Sequence, residues 1–279
     1  MKLRALFTCA LAAVLAASLA VADGTAPQTM EMGTGPTLVL VPSITGTRLD
    51  WLPTVKRLRD RYHCVMVDLP GEGASPLPDP FSLSAAAALL DGVVAKQRPE
   101  STVVVGVGVG GTLALIAAGA HPEHQRGVML VNASIKSPVP IPDQQRDQLL
   151  KFMDENYDQF SKMMFSRLGR DSVESAQQYA LMAALPPRTV KAYFGSFFGM
   201  DANKEYRDLK PALGFVFTDK GWDKGASPGT VLRRFGYEDT TGVTPLRLAN
   251  AGPTPMKDQP DSLAAMIDAF AAARFAAKK

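Results

Sequence analysis

Four short apolar runs punctuate the first half of the chain: Thr37–Val41 (TLVLV), His63–Val67 (HCVMV), Thr102–Val107 (TVVVGV) and Gly127–Val131 (GVMLV). Each is rich in β-branched residues and too short for a helix, the pattern of a strand buried on both faces. The text between them has a different period. Trp51 to Arg61 sets Leu52, Val55 and Leu58 on one helical face, Ser82 to Lys96 is rich in alanine and leucine, and Thr112 to Ala120 is a third apolar helix. Polar loops fill Pro42 to Asp50 and the turn-rich stretch Asp68 to Gly73. Strands alternating with helices at this spacing predict a mostly parallel sheet covered by helices on both sides.

After the fourth run the rhythm changes. From Ser137 to Arg207 there is no buried strand; Met153, Tyr157, Phe160, Met164 and Leu168 fall at helical spacing, and Ser172 to Leu185 and Val190 to Met200 read as further helices. Pro138, Pro140 and Pro142 open this insert and Pro211 follows it. Strand-like text resumes at Leu213 to Thr218 and near Pro245 to Leu248. A last helix, Pro260 to Phe275, carries Leu263, Met266, Ile267 and Phe270 inward. The expected organisation is therefore a core from 23 to 136, a helical insert from 137 to 207, and the rest of the core from 208 to 279.

The first residues stand apart from this pattern. Lys2 and Arg4 precede an apolar run from Ala5 to Ala20, and Ala20-Val21-Ala22 offers a small-x-small cleavage site. That layout predicts a signal peptide over 1–22 and an exported protein, periplasmic or secreted, with no stable membrane anchor after cleavage. Cys9 lies inside the run without a convincing lipoprotein context. Cleavage would remove two of the 30 basic residues, which stand against 27 acidic ones. With no basic stripe, nucleic acid is not an expected partner. Cys64 would be the one remaining thiol, so no internal disulfide is available; its apolar setting predicts a packing residue rather than a nucleophile.

The chemistry turns on Val103 to Thr112, VVVGVGVGGT, where a strand meets a helix through a cluster of glycines. Gly106, Gly108 and Gly111 satisfy G-x-G-x-x-G, which would let a dinucleotide pyrophosphate approach the helix N-terminus. Against this, the next strand ends in Val131-Asn132-Ala133 without an acid for a ribose hydroxyl, and the motif lies on the third strand instead of opening the domain.

The chain resembles the α/β-hydrolase family, particularly its small members with a lid. Gly33-Thr34-Gly35-Pro36 leads into the strand Thr37 to Val41, and Asp50-Trp51 follows the loop. Val67-Asp68-Leu69-Pro70-Gly71-Glu72-Gly73-Ala74-Ser75 looks like the family's D-x-P-G-x-G-x-S turn, and His121-Pro122-Glu123 ends the helix after the glycines. The opening stretch falls where the nucleophile elbow G-x-S-x-G belongs. Ala251-Gly252-Pro253 before Gln259-Pro260-Asp261 resembles the segment bearing the catalytic histidine. The resemblance implies an α/β-hydrolase fold in which the insert is a helical lid.

It also implies that the standard triad is absent. The nucleophile's position holds Gly108 and the histidine's holds Pro253. His63, His121 and His124, the only histidines, fall away from the expected site. Nucleophilic catalysis needs an activated nucleophile and a base within hydrogen-bond reach. The acid after the late strand could be Asp219 or Asp223. Where the family usually places His-Gly, this chain has Pro42-Ser43, yet backbone N–H groups of Val109 and of Ser43 or Ile44 could still converge on a carbonyl or carboxylate oxygen. Gly108 would relieve the strain the elbow imposes on its central residue.

Other candidates are weaker. Ser43 is the alternative nucleophile; Ser134 follows the fourth strand, and no serine has a lysine three residues on. Asp68 reads as a turn residue and Glu72 as a solvated charge. No Cys/His or His/carboxylate cluster shows metal-ligand spacing, so neither metal nor cofactor is expected. Met153, Met163, Met164, Phe165, Phe194, Phe197 and Phe198 mostly pack the lid, with two or three expected to face a cavity. The leading expectation is a non-catalytic binder of a small apolar or acyl-bearing molecule, or of a partner protein, at Ser43, Ile44, Gly108, Val109 and Pro253. The rivals are an esterase-like hydrolase with a non-standard catalytic set and a nucleotide binder.

Overall fold

The computed structural model describes residues 26–277 except Thr45 and 138–141. The signal peptide expected over 1–22 lies outside the described residues. Seven strands form one sheet: β1 (Thr29–Met32), β2 (Thr37–Val41), β3 (His63–Val67), β4 (Thr102–Val107), β5 (Gly127–Val131), β6 (Leu213–Thr218) and β7 (Leu246–Leu248), in the order β1-β3-β2-β4-β5-β6-β7. All neighbouring pairs are parallel except β1 with β3, which run antiparallel with Met30 opposite Met66. The edge strand β1 was not expected: at four residues, TMEM, it carries too little pattern to distinguish from loop.

The helices are α1 (Leu52–Leu58), α2 (Leu83–Val94), α3 (Val109–Ala120), α4 (Asp143–Glu155), α5 (Tyr157–Phe165), α6 (Ser172–Ala184), α7 (Pro187–Phe197), α8 (Asn203–Leu209), α9 (Pro228–Arg234), α10 (Pro255–Asp258) and α11 (Pro260–Ala276). Strands β2, β4 and β5 are buried along their whole length, as crossover helices on both faces require. On one face Val39, Val65, Val104 and Leu130 meet α2, α3 and α8; on the other Leu40, Met66, Val105 and Met129 meet Trp51, Leu58, Leu263 and Ile267. Among the described residues no helix is long and apolar enough to cross a membrane.

The helical insert is less uniform than its sequence suggests. The helical spacing of Met153, Tyr157, Phe160, Met164 and Leu168 is split between two helices at Asn156, whose φ of −136° ends α4 and starts α5. Helices α4 to α7 gather around Met153, Phe160, Phe165, Met182 and Val190, a small core of their own. Phe194 stands edge-on to Phe160 and to Phe198, with ring centroids 4.8 Å and 4.9 Å apart. Helix α8, inside the expected insert, instead returns to the sheet and packs on α3, where Glu205 crosses Gly119.

Glu72, expected as a solvated charge, is 2% exposed. The turn carrying it folds inward because Tyr193 and Thr189 of α7 bind its backbone: their hydroxyls donate to the carbonyls of Pro70 and Gly71. Asp68 is buried too. Its carboxylate accepts from the backbone N–H of Arg48 at 2.6 Å and from the Arg48 guanidinium, so it clamps the loop after β2.

Candidate active site

In a parallel sheet the loops leaving the carboxyl ends of neighbouring strands converge, and the family's chemistry is set there. Here those loops bring together Ser43 after β2, Gly108 after β4, Asn132 after β5, Asp219 after β6 and the 249–253 segment after β7. Gly108 has φ 53° and ψ −124°, a conformation L side chains rarely adopt, and α3 begins at the next residue. Its N–H donates to the Val131 carbonyl at 2.8 Å, which ties the turn to β5. The other glycines serve close packing. A Cβ on Gly110 would strike the Pro42 carbonyl, and one on Gly106 would meet the backbone of Gly110 and Gly111. The helix therefore sits against β2 and β4 at backbone distance.

A Cβ added to Gly108 would collide with the hydroxyl of Ser43 and lie 3.0 Å from the Ser43 Cβ. Ser43 thus fills the volume that the elbow's own side chain would occupy. Val109 stands at the first position of α3, where the N–H is one of those a helix leaves without an internal partner. Ile44 packs against both the sheet core and the insert's core.

Of the two candidate acids, only Asp219 meets the last loop. One of its oxygens accepts from Arg247 Nε and Nη2 at 2.9 Å and 2.7 Å; the other accepts from the Asn250 N–H at 2.7 Å. The Asn250 amide first, then the Arg247 guanidinium, hold the Asp219 carboxyl below the usual carboxylate range. Asp223 points outward and pairs with Arg234 at 2.7 Å. Asn132, in the left-handed region at φ 49°, joins β5 to β6: its Nδ2 donates to Thr218 Oγ1 and its Oδ1 accepts from the Thr218 N–H.

Pro253 follows Gly252, and the insert reaches across to this segment. A Cβ on Gly252 would strike the Glu174 carboxylate of α6. Arg170 Nε donates to Glu174 Oε2 at 3.0 Å, and Arg170 Nη1 donates to the Asn250 carbonyl at 2.8 Å. The Gly252 N–H donates to Asp258 Oδ2 at 2.8 Å. Sequence reasoning missed Arg170, Glu174 and Asp258. The Asp171-x-x-Glu174 start of α6, a helix-capping signature, could have marked Glu174. Its reach to Gly252 is a tertiary fact.

No histidine joins this group. His63 begins β3, at the amino ends of the parallel strands, and faces Glu31 Oε2 at 3.1 Å. His121 and His124 follow the C-terminal end of α3, whose N-terminal end carries Gly108. They do form a cluster that sequence spacing did not predict. Packing of α2 on α3 brings Asp91 to both rings, about thirty residues away along the chain.

Among the described residues, open grooves of about 460, 480 and 650 Å³ lie on the surface, and Ser43, Gly108 and Pro253 line none of these three. Of the seven insert side chains expected to include cavity-facing ones, Met163 lines one of the three. Met153 and Phe165 are buried in the insert's core.

Comparison with known proteins agrees with this fold. Residues 38–266 match the family model described as the alpha/beta hydrolase family. A biotin biosynthesis bifunctional protein BioHC from Cellvibrio japonicus is 34% identical over 103 residues, 37% of this chain but only 20% of that protein's length. A pimeloyl-[acyl-carrier protein] methyl ester esterase from Edwardsiella ictaluri is 28% identical over 191 residues, covering 66% of this chain and 72% of the relative. A hydrolase from Oleispira antarctica superposes with a TM-score of 0.71 at 15% identity, over 90% of this chain and 96% of that one. Over residues 38–266, from β2 into α11, the chain belongs to the α/β hydrolase family.

Proposed function

We propose that this protein is a non-catalytic member of its family, exported from the cytoplasm, that holds an acyl-bearing molecule beneath the helical lid. The observation that carries the reading is the joint occupation of the two positions that the resemblance assigns to the nucleophile and the histidine. Gly108 offers no hydroxyl and its side-chain volume is taken by Ser43, while beside Pro253 the Glu174 carboxylate stands where a Cβ on Gly252 would be. With every histidine outside the group, a serine there has no imidazole to take its proton. What survives is the donor set: the Val109 N–H at the head of α3 and the backbone of Ser43 and Ile44. These suit a carbonyl or carboxylate oxygen, with Ile44 offering an apolar contact for the chain behind it. Esters are the substrates named for the Edwardsiella relative, which favours an acyl ligand over a nucleotide.

The second reading keeps the enzyme, with Ser43 as nucleophile. It rests on the placement of the Ser43 hydroxyl beside the elbow. One experiment separates the two. The protein is treated with a fluorophosphonate probe and with p-nitrophenyl acetate and butyrate, then titrated with hexanoate while its melting temperature is followed. No labelling, no turnover and a saturable rise in melting temperature are expected. Labelling at Ser43, or turnover abolished by Ser43→Ala, would establish the second reading.

A further inference from the structure

The far end of α3 carries a constellation that the hydrolase fold does not require. His121, Pro122, Glu123 and His124 form the turn after the helix, and the two imidazoles lie nearly parallel, 12° between planes with centroids 4.9 Å apart. Asp91, in the last turn of α2 and 8% exposed, faces both. Its Oδ1 is 2.8 Å from His124 Nδ1 and its Oδ2 is 3.9 Å from His121 Nε2. One ligand atom from each of the three residues lies within 4.8 Å of the others. The opposite nitrogens share a second carboxylate: Glu123 Oε1 is 3.2 Å from His121 Nδ1 and 3.7 Å from His124 Nε2.

We propose that Asp91, His121 and His124 form a binding site for a divalent transition-metal ion of the zinc class, with Glu123 orienting the His121 imidazole from behind. Two imidazoles and one carboxylate suit a borderline-soft cation such as Zn²⁺. Bonds of about 2.0–2.2 Å require the ligand atoms to rearrange: His121 Nε2 closes in from 3.9 Å, and His124 Nδ1 gives up its 2.8 Å contact with Asp91 to the ion between them. For His121, Glu123 supplies what a metal-bound histidine needs on its other nitrogen, an acceptor 3.2 Å from Nδ1 that fixes the tautomer and aims the Nε2 lone pair at the ion. Because His121 is half exposed, the ion has an open approach, and water can complete the coordination. The occupied site would join the end of α2 to the turn that feeds β5, and binding to the folded state alone would raise stability.

The test uses the untagged full chain, since an affinity tag of histidines would bind the same ion. Zn²⁺ is titrated against a chromophoric chelator, and melting temperature is followed with and without Zn²⁺. One equivalent of tightly held zinc and a zinc-dependent rise in melting temperature are expected. His121→Ala, His124→Ala and Asp91→Asn should each weaken binding by at least about tenfold and remove the rise, while His63→Ala should change neither. Should Asp91→Asn disturb folding, the two histidine variants still decide the matter, because both side chains are partly exposed. Zinc held equally by the wild type and by a His121→Ala/His124→Ala variant, or held by neither, would overturn the proposal.

Discussion

The hydroxyl of Ser43 stands in the volume that a side chain at Gly108 would need. The glycine at 108 and the inward set of Ser43 are therefore one packing arrangement, and neither residue can be altered freely. Gly108→Ser would meet two penalties: a left-handed φ of 53°, costing a non-glycine residue about 1–3 kcal/mol, and collision with Ser43. Adding Ser43→Gly removes the second and leaves the first. Urea unfolding should rank the wild type above Gly108→Ser/Ser43→Gly, and that double variant above Gly108→Ser alone. Equal midpoints for the last two would mean that Ser43 moves aside without cost.

Arg170 bridges the insert and the loop after β7 by bonding Glu174 and the Asn250 carbonyl. Its removal should loosen both partners together. In Arg170→Ala, backbone amides of α6 and of 249–253 should exchange with deuterium faster than in the wild type, while those of β4 keep their protection. Acceleration confined to α6 would show that the loop is held by Asp219 and Asp258 without help from the insert.

Glu72 carries a pH dependence with a definite sign. Burial, with the neighbouring Asp68 and Asp50 charges adding to it, pushes its carboxyl up to about 10, so the folded state keeps a proton that the unfolded chain releases near 4.5. Its contribution is fully present below that lower value and declines as pH rises toward 10, by up to about 1.4 kcal/mol per pH unit. Glu72→Gln should flatten this decline, giving a variant more stable than the wild type at pH 8 and little different at pH 4.5. Urea midpoints across that range are the measurement, and parallel curves for the two proteins would refute the assignment.

Cys64 lies wholly buried in β3, and burial pushes its thiol up to about 12. Thiolate is the reactive form, so iodoacetamide at pH 8 should leave the Cys64 peptide unmodified in the native protein and alkylate it in urea. Mass spectrometry of that peptide reads the outcome directly.

The parallel core was legible because buried strands write themselves as unbroken β-branched runs: TLVLV, HCVMV and GVMLV begin and end where β2, β3 and β5 do. The sharp strand-to-helix turn at Gly108 was legible for a related reason, since glycines between a β-branched run and an apolar helix mark such a turn. The contacts around it were not. Ser43 meets Gly108 and Glu174 meets Gly252 across long stretches of chain, and nothing local distinguishes those side chains from solvated ones. Glu72 shows the same limit from the other side. A carboxylate between two glycines reads as surface, and only the approach of Tyr193 and Thr189 takes it inside. Asp91, likewise, has no pattern that points to the turn at His121.

Helix α3 acts as a spacer. Its twelve residues at about 1.5 Å each set the elbow and the paired imidazoles roughly 18 Å apart, on opposite faces of the molecule. An occupant at one end therefore neither touches nor competes with an occupant at the other. The most direct link between them is α3 itself, whose near end sits against the backbone of β2 and β4. The two ends can change independently in evolution or by design, so long as the rod between them keeps its length.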